Sequence, residues 1–345
     1  MALGGGVWVT QNKQLPGSYI NFVNSATTSG AVGERGIVAI ALPLGKDVGK
    51  VIEITKNNFA LKCKELTGVD YEDAKVIALR EIFCNASKVF VYDMGDTGTV
   101  ADAIKAFEPY EFNVLCAYTD AESDVSAYVA AVESWRDEYG KKCQLVAYNN
   151  AADHEGVINV VSTVEDEDAP AYALTAWVAG AEAGCKLNES CTNKLYDGEY
   201  TVVVDKSQSE LTTCITSGQI VFHLVYGEIR MLEDINSLVT TDEEKGEDFK
   251  SNQTIRVVDQ IANDIAKLFN TKYLGKIPNN ASGRVSLWAD IVAHHRQLEE
   301  IQAFEAFDSG KLIVEQGNTK KSVVVTDVVT VTNALTQLYM TVVVQ

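Results

Sequence analysis

Short apolar runs alternate with amphipathic stretches through the middle of the chain. KVFVYD (88–93), FNVLCAY (112–118), CQLVAY (143–148) and VINVVS (157–162) are nearly continuous in apolar residues, as strands covered on both faces of a parallel sheet are. Helical patterns separate them. Thr99 and Asp102 make a capping box for a helix to about Phe107, and Val125, Tyr128, Val129, Val132 and Trp135 recur on one helical face. A small-residue helix is predicted from Asp168 as N-cap and Pro170 through Ala183, stopping at Gly184. Ser207 and Glu210 form a second capping box before a short helix and a strand, QIVFHLVY (219–226). Two long helices follow, striped by Ile255, Val258, Ile261, Ile265 and Leu268 and then by Leu287, Ile291, Leu298, Ile301 and Phe304. The pattern predicts an α/β domain over 87–218 and an α+β domain over 219–327.

The two ends read differently. Residues 1–24, with Gly4 to Gly6, Pro16 and Gly17, predict an extended arm, and 25–86, with IVAIALPL from Ile37 and KVIEIT from Lys50, predict a small β domain. Residues 328–345 carry no charge, no Pro and no Gly, and are rich in Val, Thr, Leu and Tyr. Natural edge strands are interrupted by Lys, Pro or bulges, so an unbroken neutral ribbon must be paired, either in its own sheet or with another molecule.

Composition narrows the function. With 29 Lys plus Arg against 48 Asp plus Glu, the net charge is −19, which disfavours a polyanion partner, and no basic cluster offsets it. The charge is concentrated centrally: 1–60 and 311–345 are weakly basic around a strongly acidic body. Seven cysteines without a C-x-x-C suit buried thiols in a reducing compartment. No apolar run is long enough for a bilayer, and the start, MALGGGVWVTQNK, has no signal-peptide pattern.

Candidate chemistry is sparse. Asp96-Thr97-Gly98, His154 and Ser217 follow the chain order of a subtilisin-type triad but lack its surrounding motifs, so a capped strand-to-helix turn is the simpler reading. GKDVGK (45–50) is one residue short of a P-loop and opens no helix. His294 and His295, with Glu299 one turn on from His295, make a poor metal set because adjacent helical residues diverge; a half-buried helix face is expected. The acidic runs 165–168 and 242–248 lack calcium-loop spacing and read as solvated loops. No catalytic, cofactor or metal residue is therefore nominated. An enzyme reading would place a small ligand at the strand ends near Asp93 to Thr99 and Thr119. A surface-layer protein would require an export signal.

Several strings in order resemble the contractile tail sheath proteins of myophages and R-type bacteriocins (tailocins), of the short defective-prophage, PBSX-like type. They are PGSYINF from Pro16, ERGIVAIALPL from Glu34, AGAEAG from Ala179, NESCTNK from Asn188, EDINSLVT from Glu233, the helix from Ile255, YLGKIPNN from Tyr273, Arg284, and the closing LYMTVVVQ from Leu338. The resemblance implies a multi-domain α/β plus β sheath architecture: a β-sandwich-like domain, a subtilisin-like α/β domain without a working triad, and an inner α+β domain with terminal arms. It implies stacked hexameric rings around a tail tube, with the tube protein, baseplate and terminator as partners, assembled in the bacterial cytoplasm and carried in a virion or tailocin particle. It also places subunit contacts at Pro16, Gly17, Tyr19, Ile20 and Phe22 and at Val329, Val331, Leu338, Tyr339, Met340, Val342 and Val344. One departure is that Thr336 and Gln337 stand where sheath tails often carry a charged pair.

Overall fold

The computed structural model describes residues 32–243 and 245–344. In chain order the first half contains β1 (Ile37–Leu42), β2 (Val51–Thr55), α1 (Lys56–Thr67), α2 (Ile77–Phe83), β3 (Lys88–Asp93), α3 (Val100–Phe107), β4 (Val114–Cys116), α4 (Glu122–Asp137), β5 (Gln144–Tyr148) and β6 (Val157–Val160). Then come α5 (Leu174–Gly184), α6 (Gln208–Thr216), β7 (Gln219–Ile220), β8 (Phe222–Val225), β9 (Glu228–Met231), α7 (Asn252–Leu268), α8 (Ala281–Glu300), β10 (Ile313–Gln316) and β11 (Val323–Thr326).

Seven strands form one sheet in the order β2-β3-β1-β4-β5-β6-β7, with every neighbour parallel except β2, which is antiparallel to β3. The continuous apolar runs are explained by burial on both sides. Val38, Ile40 and Leu42 of β1 and Val89 and Val91 of β3 face a core that includes Leu79, Ile82 and the fully buried Trp177. Ala39, Ala41, Phe90 and Tyr92 face the opposite core, with Phe107, Tyr128, Val132 and Trp135 of α3 and α4. Both capping boxes form: Thr99 with Asp102 opens α3, and Ser207 with Glu210 opens α6.

α5 lies close against α2. A Cβ on Gly180 would sit 2.3 Å from the Ile82 carbonyl oxygen, and one on Gly184 2.2 Å from that of Asn85, so glycine is what permits this spacing. Beyond the sheet, α7, α8 and the antiparallel hairpin β10–β11 enclose their own core around Leu268, Leu287, Ile291 and Phe307.

Three expectations are corrected. The separate small β domain over 25–86 is not formed by β1 and β2, which belong to the large sheet; β3 is apolar on both faces and both its edges are filled, by β1 and β2. The 218/219 boundary falls inside that sheet, because β7 pairs with β6 while β8 turns away to pair with β9, dividing the expected QIVFHLVY strand. α5 starts at Leu174, later than Asp168, after a turn over 171–173. The ribbon from 328 onward forms a single isolated bridge and no extended ladder among the described residues, which leaves the pairing with another molecule open.

Candidate functional site

The carboxyl-terminal ribbon has a fastened root and a free end. Val331 bridges Phe304, the Glu305 N–H donates to the Thr330 carbonyl at 2.9 Å, and the Thr332 N–H donates to that of Ala303 at 3.0 Å. Gln253 on α7 clamps the next turn of chain: its Nε2 donates to the Thr332 carbonyl at 3.2 Å and its Oε1 accepts the Ala334 N–H at 2.9 Å. Val329 and Val331 are half-buried against Leu298, Phe304 and their neighbours. Past Ala334 the picture reverses. Leu335 is fully exposed, and Leu338, Tyr339, Met340, Val342 and Val344 are 70–90% exposed. Contiguous exposed apolar surface of this kind is uncommon on a free protein surface.

The body to which this root is tied is cross-braced by buried ions. Arg256 on α7 donates through Nη2 to Glu182 Oε2 (2.7 Å) and Asp234 Oδ2 (3.1 Å) and through Nη1 to the Glu189 carbonyl (2.9 Å). Asp234 also accepts the Cys191 N–H (2.9 Å) and the Ser190 hydroxyl (3.1 Å). Burial, then the charge of Asp234, pushes the Glu182 carboxyl well above its usual range. Burial opposes ionisation of Asp234 too, but Arg256 and these donors hold its carboxyl below the usual value. The two acids around the single guanidinium are thus pushed in opposite directions. Glu182, Cys191 and Asp234 lie close enough together to ligate a cation, but Arg256 already supplies the positive charge there. A second buried pair joins the sheet layer to α7: Arg136 Nη1 donates to Asp259 Oδ2 at 2.6 Å and Nη2 to Oδ1 at 3.0 Å.

The candidate chemistry is occupied structurally. The Asp93 carboxylate at the end of β3 accepts backbone N–H groups from Gly45 (2.7 Å), Lys46 (2.7 Å), Asp47 (2.8 Å) and Gly95 (3.0 Å). Burial works against the charged form, yet these donors hold the carboxyl below its ordinary value. The near-P-loop sequence does build an anion cradle, and the anion is the protein's own side chain. His154 Nδ1 accepts the Gly156 N–H at 2.9 Å, and Asp96 is exposed in a turn; no hydrogen bond joins His154 to Asp96 or Ser217 among the described residues. A cleft of about 660 Å³ does open at the strand ends, lined by Tyr118, Thr119, Tyr128, Tyr172 and Tyr200.

The comparisons decide between these readings. Residues 95–237 match the phage tail sheath protein central domain, and residues 244–345 match the phage tail sheath C-terminal domain. The chain belongs to the phage tail sheath family. It is 29% identical over 297 residues to the tail sheath protein of Clostridium phage phiCD119, covering 84% of this chain and 81% of that protein. It is 32% identical over 221 residues to the phage-like element PBSX protein XkdK of Bacillus subtilis, covering 60% of this chain and 47% of that protein. In fold it is similar to the sheath tail protein of Listeria innocua, with a TM-score of 0.78 at 19% identity over 89% of this chain and 94% of that one. It is also similar to the anti-feeding prophage helical sheath in its contracted state, with a TM-score of 0.71 at 14% identity over 96% and 99%. The protein is a structural tail sheath subunit, and the enzyme reading of the strand-end cleft is set aside.

Four sheath-like strings meet in one place. AGAEAG supplies Glu182, NESCTNK supplies Ser190 and Cys191, EDINSLVT supplies Asp234, and the helix from Ile255 supplies Arg256. Of the nominated contact residues, Val329 and Val331 are used in the root, whereas Leu338, Tyr339, Met340, Val342 and Val344 lie in the free end. Pro16, Gly17, Tyr19, Ile20 and Phe22 lie outside the described residues. Arg136 with Asp259 was not nominated, and Asp93 was named only as a landmark of the strand-end enzyme reading; of its cradle, the near-P-loop glycines carry a local signal.

Proposed function

We propose that the chain polymerises as stacked hexameric rings around a tail tube, and that residues 335–344 complete a β-sheet of a neighbouring copy. The observation that carries this reading is the neutral, apolar free end beyond Ala334, whose backbone is unladdered within its own protomer among the described residues. Strand addition would satisfy those backbone groups and remove the side chains from water together. Among the described residues the hairpin β10–β11 is a two-stranded sheet with no further strand on either outer edge and with Ile313, Val324 and Val325 exposed, which suits it to receive an arm.

Arms of this kind hold neighbours through the main chain, so the rigid bodies can rotate and repack while the links persist. New body-to-body burial and charge pairing then drive contraction, which pushes the tube through a bacterial envelope. The further partners are the tube protein, baseplate and terminator, with assembly in the cytoplasm before incorporation into a virion or tailocin particle. Negative-stain microscopy of the purified chain tests the reading: hollow tubes support it, and discrete small particles at every concentration and salt overturn it.

A further inference from the structure

The sequence leads one to expect a half-buried helix face at His294 and His295, but both rings are fully buried in α8 and linked to each other. His294 Nδ1 lies 3.1 Å from His295 Nδ1, His294 Nε2 lies 2.9 Å from Asp264 Oδ2 on α7, and His295 Nε2 lies 2.6 Å from Asp327 Oδ2 after β11. The four groups form one chain of three hydrogen bonds. Each bond needs one proton, and two neutral imidazoles between two carboxylates bring only two. A third proton must therefore reside in the chain, leaving it with a net charge of −1 whichever atoms hold it. Without that proton, two acceptors face each other somewhere along the chain; with a fourth, two donors do.

What the chain joins makes the proton count consequential. Asp327 immediately precedes the ribbon. Asp264 Oδ2 also accepts the Gly33 N–H at 3.0 Å, and the Val32 N–H donates to Gln297 Oε1 at 3.4 Å. The first described residues and the root of the carboxyl-terminal arm are thus held on one network. Other polar and charged groups border it. Gln260 donates to both Asp264 oxygens at 3.0 Å and accepts from Arg35 at 3.3 Å. On α8 itself Asp290 is bound by Lys272 and Tyr273, and Arg296 pairs with Glu299. The rings of Phe304 and Phe307 pack edge-on against His295 and exclude water.

The geometry points to a proton-binding clasp: Asp264, His294, His295 and Asp327 share one proton that fastens the arm root to α7 and α8, and losing it at higher pH releases the root. Above the ordinary histidine range the released form holds two neutral imidazoles and two carboxylates, so the clasped form binds one proton more than the released form. In that range clasping weakens as pH rises, by up to about tenfold per pH unit. The clasp belongs to the single chain, so its test does not depend on tube formation.

The test is hydrogen exchange of the full-length chain, corrected for intrinsic rate, from about pH 7.5 to about pH 9.5, a range in which free imidazoles are neutral. The reporters are the Thr332 and Glu305 amides, which close the root. The comparison is Asp327→Asn, whose carboxamide donates to His295 Nε2 and satisfies all three bonds with two neutral imidazoles. The wild-type amides lose protection with rising pH, while those of Asp327→Asn stay protected and flat. Wild-type protection that is flat across the range would overturn the clasp. So would an Asp327→Asn chain that keeps the wild-type slope, or one that is unprotected at every pH.

Discussion

Val331 pairs with Phe304 in an isolated antiparallel bridge, and the two backbone bonds flanking it are the last ladder contacts between the ribbon and its own body among the described residues. The side chains beyond it are exposed, so they contribute little to the fold of one copy, and in the proposed assembly they act in contacts between copies. Replacing Leu338 and Val342 together by Asp is predicted to leave the protomer's urea-unfolding free energy within about 0.5 kcal/mol of wild type, as for surface positions generally. The same charges would sit inside a shared sheet in the polymer, where burying them without partners is costly. The double variant should therefore sediment as a folded, unassembled chain.

Gly180 sets the approach of α5 to α2. In Gly180→Ala the new Cβ meets the Ile82 carbonyl at 2.3 Å, so the helices must separate. Overpacking of this kind costs about 1–3 kcal/mol, which should appear as a lowered urea midpoint with an unchanged slope.

Arg256→Met leaves Glu182 and Asp234 buried without their cation. Breaking a buried ion cluster from one side destabilises by about 3–5 kcal/mol, a large fraction of a typical domain's stability. Denaturant titration of the purified variant should show that loss, with the far-ultraviolet dichroism of any folded fraction unchanged.

Lys141 supplies a pH signature. Its ammonium lies 4.1 Å from the ring centre of Phe112 and 4.4 Å from that of Trp135 and donates to the Phe107 carbonyl at 2.9 Å, and burial pulls its pKa to about 8 from 10.5. The folded state thus binds this proton less tightly than the unfolded chain. Between about pH 8 and 10.5 the unfolded state holds more protons, so stability from this group rises with pH; below pH 8 the penalty is fully present. Relative to Lys141→Met, wild type should gain stability between pH 7.5 and 9.5. A constant difference between the two across that interval would contradict the assignment.

How much was legible in the sequence follows from what is local. The strands were readable because residues such as Val89 to Tyr92 are apolar on both faces, and α3, α4 and α6 because their caps and stripes lie within a few residues of one another. Sheet order was not, since the placing of β1 between β3 and β4 depends on pairings far apart in the chain. The same holds for the ion clusters: Arg136 meets Asp259 across 123 positions, and no spacing rule announces it. His294 and His295 were visible as a pair, but the carboxylates that give them meaning come from α7 and from the residue after β11. The ribbon was the exception. Its missing charges and missing breakers are local facts, and they call for pairing either in its own sheet or with another molecule.

The most direct test of the central claim is to delete residues 335–345, leaving the fastened root intact, and to compare tube formation with the full-length chain by negative-stain microscopy at matched concentration. The account predicts a truncated chain that unfolds with wild-type stability and forms no tubes. Tubes of normal diameter and length from the truncated chain would show that neighbouring copies are joined by something other than this ribbon.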